Sequence, residues 1–326
     1  MRIDLNELEI DSAYDPRIQG VPEECTELYL NDNNLTSLEG FPVLPNLEVL
    51  NIDNNKLTSL EGFPILPSLD VLEINNNQLT SLKGIPNMEE SVEEGEDYTD
   101  ITSLSLVGNR IVSLEGIENL PDLEILNLQN NLLVSLEGFP ELENLRDFNI
   151  SNNRISSLEG LPELPSLEVL HASNNKINSL VGFPQLHNLE SLSLENNQLV
   201  SLEGLSEVPS LQFFRLRNNK IKSLKGVEAL PNNLEFIDLS GNEIKPYKDD
   251  FLITIPFYKY LLSELHFLFE IHNNTILNSK GMSNDEFLEL SDQYNKADEY
   301  LSGLIKNYEK GNYLVELEEY YEKFIK

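Results

Sequence analysis

One segment recurs with small changes from about residue 25 to about residue 245 of the chain. Its clearest copy reads Leu47-Glu-Val-Leu-Asn-Ile-Asp-Asn-Asn-Lys-Leu-Thr-Ser-Leu-Glu-Gly-Phe-Pro. A single asparagine marks the register in every copy: Asn33, Asn55, Asn77, Asn109, Asn131, Asn153, Asn175, Asn197, Asn219 and Asn242. Neighbouring members are 22 residues apart, except for 32 residues from Asn77 to Asn109 and 23 from Asn219 to Asn242. Ten copies in register indicate a stacked repeat architecture.

Each copy follows the pattern LxxLxLxxNxL, as in Leu47, Leu50, Ile52, Asn55 and Leu57. The alternation of Leu50 and Ile52 has the two-residue period of a strand with one buried face. Because no copy can bury its leucines alone, stacked copies must share one core. The asparagine after each strand predicts a buried ladder of side-chain hydrogen bonds. Losing one such amide would leave buried backbone groups unpaired, at a cost of about 1–3 kcal/mol.

This pattern resembles the leucine-rich repeat family. The 22-residue period and the Ser-Leu-Glu-Gly return segment are most similar to the short subclass found in the protein phosphatase 1 regulator SDS-twenty-two and in bacterial internalins. The resemblance implies an α/β fold, a leucine-rich repeat solenoid with a curved parallel sheet of about eleven strands. The Gly-Phe-Pro return segments predict short 3₁₀ or extended structure on the convex side. A serine that recurs once per repeat is expected to bind turn backbone.

The chain divides into three parts. Residues 1–24 form an N-terminal cap with a truncated repeat, in which we expect Leu5, Leu8 and Ile10 to form the strand and Ala13 to take the asparagine position. Residues 25–246 contain the ten repeats, interrupted by an acidic insertion at 87–100. Residues 247–326 show helical spacing of apolar residues and predict a small all-α C-terminal domain of about three helices.

The net charge is −34, from 22 Lys and Arg against 56 Asp and Glu. This acidity argues against nucleic-acid or anionic-membrane partners, because phosphate binding needs clustered basic residues. No stretch is apolar enough for membrane insertion. A single cysteine, Cys25, excludes an internal disulfide and favours a cytoplasmic location, or delivery into a host cytosol. Nothing in the sequence sets the oligomeric state.

Motifs for catalysis are missing from the sequence. It contains no P-loop, no HExxH and no GxSxG motif. The four histidines lack metal-ligand spacing, and Cys25 takes a leucine position of the first repeat, where a buried structural thiol is expected. We therefore expect no catalytic residue, no metal and no cofactor.

Side chains that flank the leucines of each strand should line the concave face. Their identity changes from repeat to repeat, which either recognition of a partner or neutral drift would explain. Candidate partner-binding residues on this face are Phe213, Arg215, Arg217, Phe236, His171, Val169, Ile125 and Tyr29. The group of Phe213, Arg215, Arg217 and Phe236 combines arginine with aromatic side chains, which are common interface anchors. The alternative is that the two phenylalanines are covered by the helical tail.

The sequence predicts a non-enzymatic protein–protein interaction module that binds its partner on the concave face. Recurrent acidic rows favour a basic protein partner, although solubility alone would also explain them. A second hypothesis is an adaptor whose helical tail recruits a ubiquitin ligase or phosphatase complex. A pathogen effector acting on a host protein is a further alternative, and an enzyme confined to the tail is the last.

Overall fold

The computed structural model describes residues 1–87, 100–222, 225–226, 229–231 and 234–243. The interior of the acidic insertion and the whole predicted helical domain at 247–326 lie outside the described residues. Both therefore stay predictions.

Eleven short strands form one parallel sheet in chain order, from β1 to β11. Their bounds are β1 Arg2–Asp4, β2 Glu27–Tyr29, β3 Val49–Asn51, β4 Val71–Glu73, β5 Ser103–Ser105, β6 Ile125–Asn127, β7 Asp147–Asn149, β8 Val169–His171, β9 Ser191–Ser193, β10 Phe213–Arg215 and β11 Phe236–Asp238. Within the described residues, the short helix α1 spans Pro16–Gln19 and a 3₁₀ turn spans Ile117–Asn119. The predicted solenoid with eleven parallel strands is confirmed.

The leucines of successive coils fill one continuous core. In each strand of the repeats the middle residue points inward, and Leu50, Leu126 and Leu170 have no exposed surface. Aromatic residues of the Gly-Phe-Pro segments close the opposite side of this core, and the Phe139 ring lies 4.9 Å from that of Phe148. Each coil thus shields the apolar surface of its neighbour, as the repeat pattern requires.

The ten register asparagines form one row of hydrogen bonds that joins each coil to the one before it. Asn131 is representative: its Nδ2 donates to the carbonyls of Leu106, at 2.9 Å, and Leu128, at 3.1 Å. Its Oδ1 accepts from the backbone N–H of Ile111 at 2.9 Å. The same three connections recur at Asn242, where the last described coil ends. The amide therefore satisfies backbone groups of two coils at once.

The predicted register of the N-terminal cap is wrong. Its strand is Arg2–Asp4, and Ile3 pairs with Leu28, so Leu8 rather than Ala13 takes the asparagine position. Since the asparagines bond to the preceding coil, the first coil needs none. Instead the Oδ1 of Asn33 accepts from the backbone N–H groups of Leu8 and Ile10, at 3.1 and 2.9 Å.

The return segments contain the predicted serine contacts. The hydroxyl oxygen of Ser37 accepts from the backbone N–H of Glu39 at 3.0 Å, and that of Ser135 accepts from Glu137 at 2.9 Å. These bonds close the turn that leads each chain segment away from the sheet.

Candidate functional site

The sheet face opposite the leucine core, here called the open face, carries three rows of side chains. The first row is Glu27, Val49, Val71, Ser103, Ile125, Asp147, Val169, Ser191, Phe213 and Phe236. The second row is Tyr29, Asn51, Glu73, Ser105, Asn127, Asn149, His171, Ser193, Arg215 and Asp238. The third row is Asn31, Asp53, Asn75, Val107, Gln129, Ser151, Ser173, Glu195, Arg217 and Ser240. Members of one row are neighbours because the strands pair in register.

The pairing brings several of the predicted residues together around β9. Ser191 of that strand lies between Val169 of β8 and Phe213 of β10. Ser193 lies between His171 and Arg215 in the same way. Two small side chains are thus flanked on both sides by large ones, and we call this depression the serine trough.

Burial supports the description of a trough. Ser193 is only 5% exposed although it belongs to the open face, because the taller side chains of His171 and Arg215 stand on either side. The two walls are two strand spacings apart, which is about 10 Å.

Arg215 belongs to the β10 wall of the trough, and its guanidinium also contacts Phe236 on the neighbouring strand β11. Its guanidinium carbon lies 5.8 Å from the centre of the Phe236 ring, within the range of a cation–π contact. Its Nη1 donates to the Ser191 hydroxyl at 3.4 Å. Asp238, the register neighbour of Arg215 on β11, instead accepts from the backbone N–H of Ser240 at 2.9 Å.

Arg217 follows β10 and is exposed. Within the described ranges no ion pair to Arg217 is formed, so its guanidinium faces solvent. Phe236 is 40% exposed, and its register neighbour Phe213 is partly buried. Arginine and aromatic groups are therefore available at the C-terminal part of the open face.

Two predicted residues lie elsewhere. Tyr29 belongs to β2, where Arg2 stacks over its ring at 4.2 Å and its hydroxyl donates to Glu27 at 3.1 Å. Burial, and then the Glu27 carboxylate, raise the pKa of Tyr29. Ile125 is 47% exposed but lies on β6, two strands before β8. Neither residue contributes to the serine trough.

A second ladder of side chains covers the start of the third row, and the sequence analysis missed it. Asn6 accepts from the backbone N–H of Asn31 at 2.6 Å, and Asn31 accepts from that of Asp53 at 3.1 Å. Asp53 then accepts from Asn75 at 2.6 Å, and Asn75 from Val107 at 2.7 Å. The signal in the sequence was a run of Asn and Asp at one repeat position, which ends where Val107 replaces them.

Two carboxyl groups of the open face have altered acidity. Burial, and then the nearby Asp53, raise the pKa of Glu73, whose carboxylate accepts a hydrogen bond from Asn51. Burial also raises the pKa of Asp147, while the neighbouring His171 opposes that rise. Charge on this face is thus partly desolvated near β4 and β7.

Side chains for metal binding are not assembled on the described part of the chain. Across the ranges given above, no cluster of three or more His, Cys, Asp or Glu side chains could hold a metal ion. Cys25 is fully buried, and burial raises the pKa of its thiol. A search of the described residues finds no helix long and apolar enough to cross a membrane.

The open face and its asparagine ladder define a class of protein, and comparison with known families agrees. The family model described as leucine rich repeats (2 copies) matches residues 23–65, 99–141, 143–180, 165–207 and 209–253. The chain belongs to the leucine-rich repeat family. The predicted membership of the leucine-rich repeat family is thereby confirmed.

Solved structures of bacterial leucine-rich repeat proteins are similar to this chain. YopM from Yersinia enterocolitica is 31% identical with a TM-score of 0.52, covering 68% of this chain and 43% of its own. YopM from Yersinia pestis, described as a leucine-rich effector protein, is 27% identical with a TM-score of 0.51, covering 69% and 57%. Internalin C2 from Listeria monocytogenes is 27% identical with a TM-score of 0.48, covering 61% and 81%.

The matched region spans less than half of the Y. enterocolitica YopM chain. No curated protein sequence matches this chain.

Proposed function

We propose that this chain is a non-enzymatic protein-interaction module that binds a partner protein on the open face, around β8 to β11. The observation that carries the proposal is the gathering of Val169, His171, Phe213 and Arg215 around the serine trough, with Phe236 beside it. Membership of the leucine-rich repeat family supports an interaction role.

The two ends of the open face differ in how far their side chains are already engaged. Near β2 to β5, Asn31, Asp53 and Asn75 bind backbone groups of the protein itself. Near β10, Arg217 is exposed and Arg215 makes one long hydrogen bond. The C-terminal end therefore has more hydrogen-bonding capacity left for a partner.

The mechanism is preorganisation. Val169, His171, Phe213 and Arg215 sit on strands that are hydrogen-bonded on both sides, and Arg217 lies directly beyond one of them, so binding orders little backbone there. Phe236 lies on the edge strand β11, which pairs with β10. Arginine and aromatic residues at the centre of a contact commonly supply most of its binding free energy.

The test is quantitative affinity capture from the native cell with a full-length variant that combines Phe213→Ala, Arg215→Glu, Arg217→Glu and Phe236→Ala. A control variant combines Arg110→Glu and Arg154→Glu, which makes the same charge change at exposed positions away from the open face. We expect at least one partner to be lost with the first variant and kept with the control. Capture of every partner at the parental level by both variants would refute this placement.

A second candidate function is that of an effector that acts on a host protein after delivery into the host cytosol. The specific observation is the 31% identity with the Y. enterocolitica YopM over 68% of this chain. The Y. pestis YopM is described as an effector. Capture from host cytosol, compared with capture from the producing cell, would separate the two, since an effector finds its partner in the host fraction alone.

The adaptor hypothesis concerns residues 247–326, which lie outside the described residues. It predicts two sets of partners for the full chain. The quadruple open-face variant should lose its target protein but keep the machinery bound by the tail. Simultaneous loss of all partners would contradict an adaptor.

A further inference from the structure

Apart from Arg2 at the N-terminal edge of the sheet, the positive charge of the open face is concentrated beside the serine trough. In the three rows from β2 to β11, the lysine and arginine positions are Arg215 and Arg217 alone. Six acidic residues occupy the same rows: Glu27, Asp53, Glu73, Asp147, Glu195 and Asp238. We propose that the trough receives an extended segment of the partner protein with the pattern apolar-x-acidic-x-acidic, in either chain direction. This inference rests on the proposed function and names the chemistry of the occupant.

The shape of the trough fits one extended chain. Its floor is made of Ser191 and Ser193, and its walls rise on β8 and β10. The strands that carry the two walls are about 10 Å apart, with β9 midway between them, so one extended segment running over β9 would be flanked by both walls.

The spacing of the anchors matches the period of an extended peptide. Phe213, Arg215 and Arg217 are two residues apart, so they succeed one another at the repeat distance of a strand. An extended segment in the trough beside them presents residues i, i+2 and i+4 to the same side. An apolar side chain at one end would lie against Phe213, and two carboxylates would face the arginines.

The arginines have donors to spare for carboxylates. A guanidinium carries five N–H donors, and in Arg215 one of them reaches Ser191 at 3.4 Å. One carboxylate oxygen of Asp238, the register neighbour of Arg215, accepts from the backbone N–H of Ser240. Glu195 precedes Arg217 in the third row, but no ion pair joins these two described residues. Arginine can bind a carboxylate through two parallel hydrogen bonds.

The net negative charge of the chain attracts a basic partner as it approaches. Salt screens this attraction beyond about 8 Å at physiological ionic strength. At contact distance, the sign of the local side chains decides which segment is accepted. The trough therefore selects an acidic segment within an acidic protein, opposite to the basic partner that the net charge suggests.

The chain contains its own control site. On β5, Ser103 and Ser105 form a similar small floor between β4 and β6. The second-row neighbours of Ser105 are Glu73 and Asn127, so this floor has no cationic wall. Filling either floor with a large side chain makes a matched pair of variants at two partly exposed serines, Ser191 and Ser103.

The experiment measures fluorescence anisotropy of two labelled peptides with the full chain. One peptide contains Phe-Ser-Glu-Ser-Glu within a Gly-Ser sequence, and the other replaces both glutamates with lysine. We expect the acidic peptide to bind, and Ser191→Tyr to weaken it at least about tenfold, or 1.4 kcal/mol. Ser103→Tyr should change its affinity less than about twofold. Arg217→Glu, at an exposed position, should also weaken it by about tenfold without changing the melting temperature.

Several results of the peptide experiment would contradict the inference, each in a different way. Failure of the acidic peptide to bind at about 1 mM, or equal weakening by both tyrosine variants, would overturn the inference. Binding of the lysine peptide alone, sensitive to Ser191→Tyr, would overturn the acidic occupant but keep the open face as the binding surface. Peptide binding that no open-face variant changes would overturn the inference, because the peptide would then bind elsewhere, while the capture experiment would still decide the proposed function.

Discussion

Asparagine has two separate roles in the Asn-Asn pairs that end most strands. The second member makes the buried bonds to the previous coil, as Asn131 does. The first member has a left-handed backbone, with φ of 58° at Asn130. Gly108 and Gly241 replace it in two coils, with φ of 72° and 71°, because glycine adopts this region without strain. Side-chain chemistry fixes one position, and backbone conformation fixes the other.

The two roles predict opposite tolerance to substitution at adjacent residues. Asn131→Ala should lower the free energy of unfolding by about 2–3 kcal/mol, because it leaves the Ile111 N–H and buried carbonyls unpaired. Asn130→Gly should change it by only a few tenths of a kcal/mol. Urea denaturation measures both. Similar losses in the two variants would show that the ladder asparagine has no special role.

Glu73 predicts a pH dependence of stability. Its pKa is raised in the folded protein, so the unfolded chain releases this proton at lower pH. The stability that protonated Glu73 contributes is present at low pH. It is lost as the pH rises from about 4.3, the usual pKa of glutamate, through the raised pKa of Glu73 in the folded protein. Glu73→Gln should therefore raise the melting temperature at pH 7 by about 1–2 °C, after allowance for solvent screening.

The measurement is thermal unfolding of the parent and Glu73→Gln at pH 4 and pH 7, with Glu124→Gln, at an exposed site, as the control. The difference between parent and Glu73→Gln should grow with pH. A difference of the same size at both pH values would exclude the carboxylate charge as its cause.

Among the elements, the repeat strands β2 to β11 were predictable and the first strand, β1, was not. A period of 22 residues fixes which side chains face the core, so the strands and their register follow from the asparagine spacing alone. The cap was misplaced because Ile3 to Leu28 spans 25 residues, and its coil lacks the asparagine that marks the register elsewhere. Periodicity gives no information where the period itself changes.

The candidate site was only partly predictable for a related reason. Repeat position places Phe213 and Arg215 on the open face, and strand pairing in register places His171 opposite Ser193. The trough itself depends on small residues between large ones, and a search for conspicuous side chains overlooks serines. The second ladder was missed because Asn31, Asp53 and Asn75 bind backbone N–H groups one coil away.

That second ladder predicts where polar open-face residues contribute to stability. Asn75→Ala removes the acceptor for the Val107 N–H at 2.7 Å and the Ser105 hydroxyl at 2.7 Å. We expect a loss of about 1 kcal/mol in the free energy of unfolding. Gln129→Ala, in the same row beyond the end of the ladder, is the control and should cost less than about 0.5 kcal/mol. A larger loss at Gln129 would contradict this division of the row.

At the scale of the whole molecule, the charge of −34 must be tolerated by a protein whose coils are about 5 Å apart. Acidic residues recur on successive coils, as at Glu39 and Glu61. A few of these acidic residues form ion pairs, as Glu203 does with Lys225 at 2.6 Å. Self-repulsion of this kind destabilises the folded state and is reduced by salt.

We therefore expect the melting temperature of the full chain to rise as sodium chloride is increased from about 10 mM to about 500 mM. Potassium chloride should give the same rise, because screening depends on ionic strength. A fall in melting temperature, or a response to one of the two cations only, would contradict screening as the dominant effect.

A partner protein bound as proposed would cover the serine trough. Hydroxyl-radical footprinting of the full chain, with and without its captured partner, measures side-chain exposure directly. The account predicts that the partner lowers oxidation of His171, Phe213 and Phe236, while Tyr14, which is 63% exposed in the N-terminal cap, keeps its free rate. Unchanged oxidation of those three residues with protection of Tyr14 would contradict the account.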